Sequence, residues 1–157
     1  MSPMTDDLDD LDLRILRVLQ EDASLSNVEL AQRVFASAPT TMRRLRRLRE
    51  AGVIVREVAM LDQGKLGRSV TAIIEVSLDR QAAEDCDAFE AHICAEPTVT
   101  QCYRVSPGPD FVVIAELADM SAYDAFARRL FSGTHNVRNV RTFFSTKRGK
   151  FAVNAPV

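Results

Sequence analysis

The chain has 157 residues, 46% hydrophobic and 27% charged, the balance of a soluble globular protein with room for one medium domain or two small ones. No apolar run approaches the roughly 18 residues of a membrane span, and the acidic start MSPMTDDLDDLD lacks the basic-then-apolar order of a secretory signal, so a cytoplasmic protein is expected. Cys86, Cys94 and Cys102 lack CxxC spacing and His92 and His135 stand apart, so no disulfide framework, metal centre, catalytic group or cofactor is predicted.

A net charge of −2 does not advertise nucleic-acid binding, but the distribution says more than the sum. Five aspartates lie between Asp6 and Asp12, and five arginines between Arg43 and Arg49. The two clusters cancel and hide a strongly basic segment.

The first periodic stretch runs from about Leu8 to Gln20, with Leu8, Leu11, Ile15, Val18 and Leu19 at helical spacing. Its aspartates suit the positive end of a helix and are otherwise solubilising. Ser26-Asn27-Val28-Glu29 is a capping box that opens a second, short helix, with Val28, Ala31 and Val34 expected on its buried side. Ser37 is the N-cap of a third helix reaching about Ala51; Pro39 sits in its first turn, and Gly52 suits the C′ position. Leu45 and Leu48 face inward, while Thr40, Arg43, Arg44 and Arg47 project elsewhere. Three short helices with a brief turn between the second and third make a helix-turn-helix, three-helix and winged-helix-like, over residues 1–54. Val53 to Leu61 reads as extended, and residues 55–66 are expected to be a hinge strand and linker that includes a turn at Asp62-Gln63-Gly64-Lys65.

From residue 67 the period changes. Val70 to Leu78 alternates as a half-buried strand. Ala82, Cys86, Phe89 and Ile93 share a helix face, and Thr98 to Val105 forms a second strand. Ser106-Pro107-Gly108-Pro109 is a turn by composition. Phe111 to Leu117 follows as a strand, then a helix opening at Ser121 with Tyr123, Phe126, Ala127 and Leu130 on one face and Gly133 at its end, then a strand from Val137 to Thr146. The order βαββαβ predicts a ferredoxin-like domain over residues 67–157, and an α+β fold class for the whole chain. Such a sheet leaves one face uncovered by its own helices. Thr71, Ile73, Thr100, Cys102, Val112 and Ile114 are the candidates for that face, and a half-apolar open face predicts a homo-oligomer.

The arginine-rich third helix occupies the recognition position. N-terminal residues of a recognition helix reach base edges, so Pro39, Thr40 and Arg43 are candidates for readout. Arg44 and Arg47 are candidates for phosphate contact, or Arg44 packs against the acidic first helix. Ser26, Asn27 and Ser37 lie at helix N-termini, where backbone N–H groups favour a phosphate; capping alone explains the serines too.

The residues in LDDLDLRILRVLQEDASLSNVELAQRV resemble the opening of the Lrp/AsnC, or feast/famine, regulators. The likeness continues through Ser37, Arg44, Arg46-Arg47-Leu48 and Gly52-Val53-Ile54. It returns at Leu66-Gly67, Cys102, Val105-Ser106, Asp110, Asp119-Met120-Ser121-Ala122-Tyr123, Arg141-Thr142-Phe143 and Lys150, covering nearly the whole chain in order. The resemblance implies a DNA-binding transcription regulator, dimers formed through the sheet that assemble into octamers, and an amino-acid effector held between dimers. Carried over by position, the effector residues are Ser106, Gly108, Asp110, Met120 and Thr142. An amino acid needs donors for its carboxylate and an acceptor for its ammonium, which a tight loop and Asp110 would supply; the bland alternative makes Asp110 a turn cap and Thr142 a β-former. Two departures stand out. Phe35 replaces the family's usual glycine in the interhelical turn and needs an unusual backbone. The prolines flanking Gly108 stiffen the effector loop, so that either the ligand differs from the common aliphatic amino acids or binding is lost. Three further alternatives are a tetrapyrrole-processing enzyme of the same two-domain plan, a regulator that has lost its effector response, and an assembly protein with a vestigial DNA-binding domain.

Overall fold

The computed structural model describes residues 8–132 and 136–157. Asp6, Asp7, Gly133 and His135 lie outside them. The chain divides into two compact units, one taking in the described residues up to Met60 together with Phe151–Val157, the other Leu61–Lys150.

The first unit holds α1 (Asp10–Glu21), α2 (Asn27–Arg33) and α3 (Ala38–Glu50). Each begins at a side-chain cap. Asp9 accepts from the Leu11 and Asp12 amides, both at 3.0 Å, and Asp12 accepts from the Asp9 amide at 3.1 Å, closing a capping box. Ser26 and Glu29 form the expected second box. At α3, Ser37 Oγ accepts from the Thr40 amide, and Pro39 falls in the first turn, where no amide is needed. Gly52 takes a φ of +72° past the end of α3, letting the Val53 amide bond back to the Leu48 carbonyl at 3.0 Å.

Ile15, Leu16, Leu30, Val34, Leu45 and Leu48 pack between the three helices. Val28, expected inside, is 59% exposed; Leu30 takes its place beside Ala31 and Val34. In a helix this short, the face that docks is set by the residues nearest the turn, not the first turn. Phe35 has a φ of +54° and is 90% exposed, so its ring contributes little to the core while its backbone carries left-handed strain.

One charged residue lies within this apolar core. Asp12 is completely buried, and Arg44 and Arg47 reach it from α3. Arg44 spans to Asp9 at 2.7 Å as well as to Asp12 at 3.2 Å. The opening of α1 and the middle of α3 are thus joined by two guanidinium groups sharing one buried carboxylate.

No residue from 55 to 66 joins a strand ladder in the described structure, although this segment is expected from sequence as a hinge strand. Val55 and Val58 there are exposed. The C-terminal residues, expected with the second domain, join the first unit instead: Gln20 Nε2 donates to the Ala155 carbonyl at 3.1 Å and Arg17 Nε to that of Val157 at 3.0 Å.

The second unit contains β1 (Val70–Leu78), α4 (Ala83–Cys94), β2 (Val99–Arg104), β3 (Phe111–Leu117), α5 (Met120–Phe131) and β4 (Val137–Phe144). The strands lie in the order β2-β3-β1-β4, every neighbouring pair antiparallel. With a helix crossing after β1 and after β3, this is the ferredoxin-like arrangement. Ile74, Val76, Phe111 and Val113 on one sheet face pack with Phe89 and Ile93 of α4 and Phe126 and Leu130 of α5. α5 starts one residue before the expected Ser121, because Asp119 is its cap, accepting from the Ala122 amide at 2.8 Å.

Thr71, Ile73, Val112 and Ile114 lie on the other face, as their alternation requires. Cys102 does not. A register shift between Val99 and Gln101 places Gln101 opposite Ile114 and Cys102 opposite Val113, a core residue. The extra residue reverses the alternation, so the Cys102 thiol faces the helices and Gln101 and Tyr103 take the open face.

Phe35→Gly should raise the unfolding free energy by about 1 kcal/mol, since glycine adopts the positive φ without strain and little packing is lost. The midpoint in urea at constant slope reads this directly. Removing both cations at Asp12 should cost more than removing the anion. Arg44→Ala with Arg47→Ala strands a buried carboxylate, for roughly 3–5 kcal/mol, whereas Asp12→Ala leaves two arginines that reach water, for about 1–3 kcal/mol. The same urea titrations rank the two variants.

Candidate nucleic-acid interface and effector loop

Along α3, Leu45 and Leu48 are buried against the core, and Thr41 is buried with them because its hydroxyl donates to the Ser37 carbonyl at 3.0 Å. Arg44 and Arg47, three apart, turn toward α1. Arg43 and Arg46, also three apart, turn away. Arg46 is tied to Glu50 at 2.7 Å and Arg49 to Glu57 at 2.6 Å. Among the described residues, Arg43 makes no ion pair, and it is exposed. Its neighbour one turn toward the N-terminus is the exposed Pro39, with Thr40 beside it. Thr40 is half-buried, and its hydroxyl accepts from Ser37 Oγ at 2.9 Å.

The outer side of the unit therefore presents Pro39, Arg43 and the exposed part of Arg47 along α3. Ser37 is exposed at the start of α3, and Ser26 and Asn27 at the start of α2. Both serines act as caps, so each hydroxyl already accepts a backbone proton. Exposure and capping coexist at these positions. Of the two readings of Arg44, the geometry realises contact with the first helix.

Sequence reasoning missed the role of Asp12. Its signal is its spacing. Asp12 stands three and four residues before Ile15 and Leu16, on the apolar stripe of α1, where a merely solubilising aspartate would not be placed. Asp9 outside the core has its carboxyl held below the usual range, chiefly by the backbone hydrogen bond from Asp12, against desolvation and with help from Arg44.

In the second unit the turn Ser106–Asp110 joins β2 to β3. Ser106 and Gly108 are exposed, and Gly108 has a φ of +125° that a side chain would strain. Asp110 is anchored. Its amide bonds to the Val76 carbonyl at 2.9 Å, and its Oδ2 accepts from the Leu78 amide at 2.7 Å and from Gln81 Nε2 at 3.2 Å. Met120 begins α5 just after β3 ends, so the seven residues of β3, roughly 20 Å of strand, separate it from Asp110. Thr142 pairs with Ile74 on β1, and its hydroxyl shares a 2.7 Å hydrogen bond with Tyr123 of α5. Within one chain, then, the five candidate effector residues do not converge: Ser106, Gly108 and Asp110 lie at one end of the sheet, Met120 follows β3 at the other, and Thr142 stands midway, opposite the central residue of β1.

The open sheet face carries Ile73, Val112 and Ile114 in its middle and Tyr103 and Phe143 beside them. Charges on it are paired: Arg141 with Glu75 at 2.8 Å, stacked 4.9 Å from the Phe143 ring, and Arg148 with Glu116. No helix among the described residues is long and apolar enough to cross a membrane.

Residues 8–55 match the family model described as winged helix-turn-helix DNA-binding, and residues 71–152 that of the Lrp/AsnC ligand binding domain. A leucine-responsive regulatory protein of Rhizobium meliloti is 36% identical over 151 residues, covering 96% of this chain and 97% of that protein. Two solved structures are similar throughout. A transcriptional regulator of Neisseria meningitidis, solved as its L-Met complex, has a TM-score of 0.90 at 32% identity, over 95% of this chain and 96% of that one. An AsnC family transcriptional regulator of Agrobacterium tumefaciens has a TM-score of 0.91 at 33% identity, over 95% and 97%. With the helix-turn-helix, the ferredoxin-like sheet and these matches in agreement, the chain belongs to the Lrp/AsnC family of transcription regulators.

Proposed function

We propose that this regulator reads its operator through Pro39, Thr40 and Arg43, and that an amino acid held between copies of the chain modulates the binding. The observation that carries the first part is the exposed guanidinium of Arg43, without an ion pair among the described residues, in a helix whose other arginines from 44 to 49 all have carboxylate partners. A bidentate contact to guanine needs an uncommitted fork, and Arg43 has one. Arg47, partly exposed while anchored, contributes to phosphate contact, and Arg44 serves chiefly to fix the helix. Ser26, Asn27 and Ser37 present helix N-termini to the backbone on either side.

Assembly is the second element. The uncovered sheet face, apolar in the middle with its charges already neutralised, suits a second copy of the chain, as do the exposed Val55 and Val58 of the linker. Dimers, and octamers built from them, would bring the Ser106–Asp110 turn of one copy near Met120 of another, two positions that one chain keeps at opposite ends of its sheet. The relative solved with L-Met supports an α-amino acid as the class of effector. A cytoplasmic location follows from a DNA target. The enzyme alternative gains nothing from the site, and membership in a family of transcription regulators favours regulation.

Arg43→Ala should weaken operator binding by about 1–3 kcal/mol and relax base preference at one position, with thermal stability unchanged. Arg47→Ala should lower both the salt slope, by about 1, and the stability. Binding isotherms on matched and mismatched duplexes across a salt series separate these effects; two mutants with wild-type affinity at every salt would sink the assignment. For the effector, thermal shift of the full chain against the twenty amino acids should reveal at least one stabilising ligand, worth about 2.7 kcal/mol at a hundredfold excess over Kd. Silence across all twenty at millimolar concentration would favour a regulator that has lost its response.

A further inference from the structure

Arg104 and Cys102 alternate along β2, and both face α4. Arg104 stands opposite the core residue Phe111 and clasps Asp87 at 2.6 Å and Glu90 at 2.7 Å. β1 and β2 are parallel, since each runs antiparallel to β3, so the connecting α4 runs back against β2. Stepping from Arg104 to Cys102 covers about 6.6 Å of strand, which corresponds to about four residues of helix toward its C-terminus. From Glu90 that step arrives at Cys94, the last residue of α4. Asp87, Glu90 and Cys94 follow one another at helical spacing on one stripe, and β2 meets the stripe with Arg104 and then Cys102.

The register shift after Val99 is what makes this possible, because without it Cys102 would point to the opposite sheet face. Cys94 is exposed, Cys102 half-buried and Cys86 buried in the core. The Cys102 thiol is pushed up to about 12, by burial first and then by the charge and hydrogen bonding of Cys94.

We propose that Cys94 and Cys102 are a modification site, a vicinal dithiol that a two-electron oxidant of the peroxide class closes into an intrachain disulfide. Cys94, the accessible member, attacks a peroxide oxygen as its thiolate. The O–O bond breaks, and the departing hydroxide takes up the thiol's proton as water. The sulfur of Cys102 then displaces hydroxide from the Cys94 sulfenic acid. The S–O bond breaks, the S–S bond forms, and the Cys102 proton leaves with hydroxide as a second water. Two thiols lose two electrons in all, and the peroxide gains them. The bond would tie the end of α4 to the strand leading into the Ser106–Asp110 turn.

The test uses the full chain. It is exposed to hydrogen peroxide, denatured, alkylated with iodoacetamide and cut with a glutamate-specific protease, which separates Cys86, Cys94 and Cys102 by cleaving after Glu90 and Glu96. Two of the three thiols should be lost together, with a linked pair of peptides, 91–96 and 97–116, lighter by two hydrogens than their sum and released by a thiol reductant. Cys86 should remain alkylated. In Cys94→Ser at the same dose, Cys102 should stay fully alkylatable. Three results would overturn the proposal: all three thiols still alkylatable, Cys94 linked to another chain on a non-reducing gel, or Cys94 carried to sulfinic acid with Cys102 free.

Discussion

A buried carboxylate between two guanidinium groups governs the DNA-facing half of this molecule. Asp12 has no exposure to water, and an isolated charge in that position would cost several kcal/mol. Arg44 and Arg47 offset the cost because both are anchored on α3 and both retain some contact with solvent. The geometry constrains more than distance. With residues 44 and 47 fixed toward α1, rotation of α3 about its axis is fixed too, so Arg43 and Arg46 must face outward. Apolar packing by Leu45 and Leu48 alone would tolerate slippage, whereas directional charged hydrogen bonds do not.

The same interaction explains why net charge says so little about this chain. Acid gathered at the start of α1 is matched by base gathered on α3, and the match is a physical contact as well as an arithmetic cancellation. What remains for a polyanion is the part of the arginine cluster that internal carboxylates do not use. Arg46 and Arg49 are taken by Glu50 and Glu57 at the surface, where such pairs contribute little and screen readily, so phosphate could compete for them. Arg43 needs no such exchange.

Period and capping carried most of the fold in the amino-acid order. Alternation over Val70–Leu78, the box at Ser26 and the cap at Ser37 place elements to within a residue or two, because both signals act between neighbours in the chain. The misplacements share a different cause. Cys102 lies on the unexpected face because one extra residue after Val99 interrupts a hydrogen-bond ladder, a property of two strands together. Val28 is outside because α2 spans only two turns, too few for its own periodicity to define a face. Residues 151–157 return to α1 through Gln20 and Arg17, over a separation at which no local pattern speaks. Asp12 could have been read from its place on an apolar stripe; packing of Arg44 against the first helix is one of the sequence readings, whereas the contact of Arg47 with Asp12 is not.

The candidate effector residues divide in the same way between local signal and tertiary placement. Sequence supplies their types, while the sheet supplies their separation, with the turn at one end, Thr142 midway and Met120 at the other end. Asp110 Oδ2 is already committed to β1 through Leu78 and to Gln81, so the turn is held before any ligand arrives. A rigid turn and a distant partner group are poor material for a pocket within one chain and suitable material for one shared between chains. If an amino acid occupies such a shared site, its affinity depends on assembly, and by linkage assembly depends on the amino acid. DNA binding by paired helix-turn-helix units then responds to the ligand without any change inside the first unit, whose α3 is already clamped by Asp12.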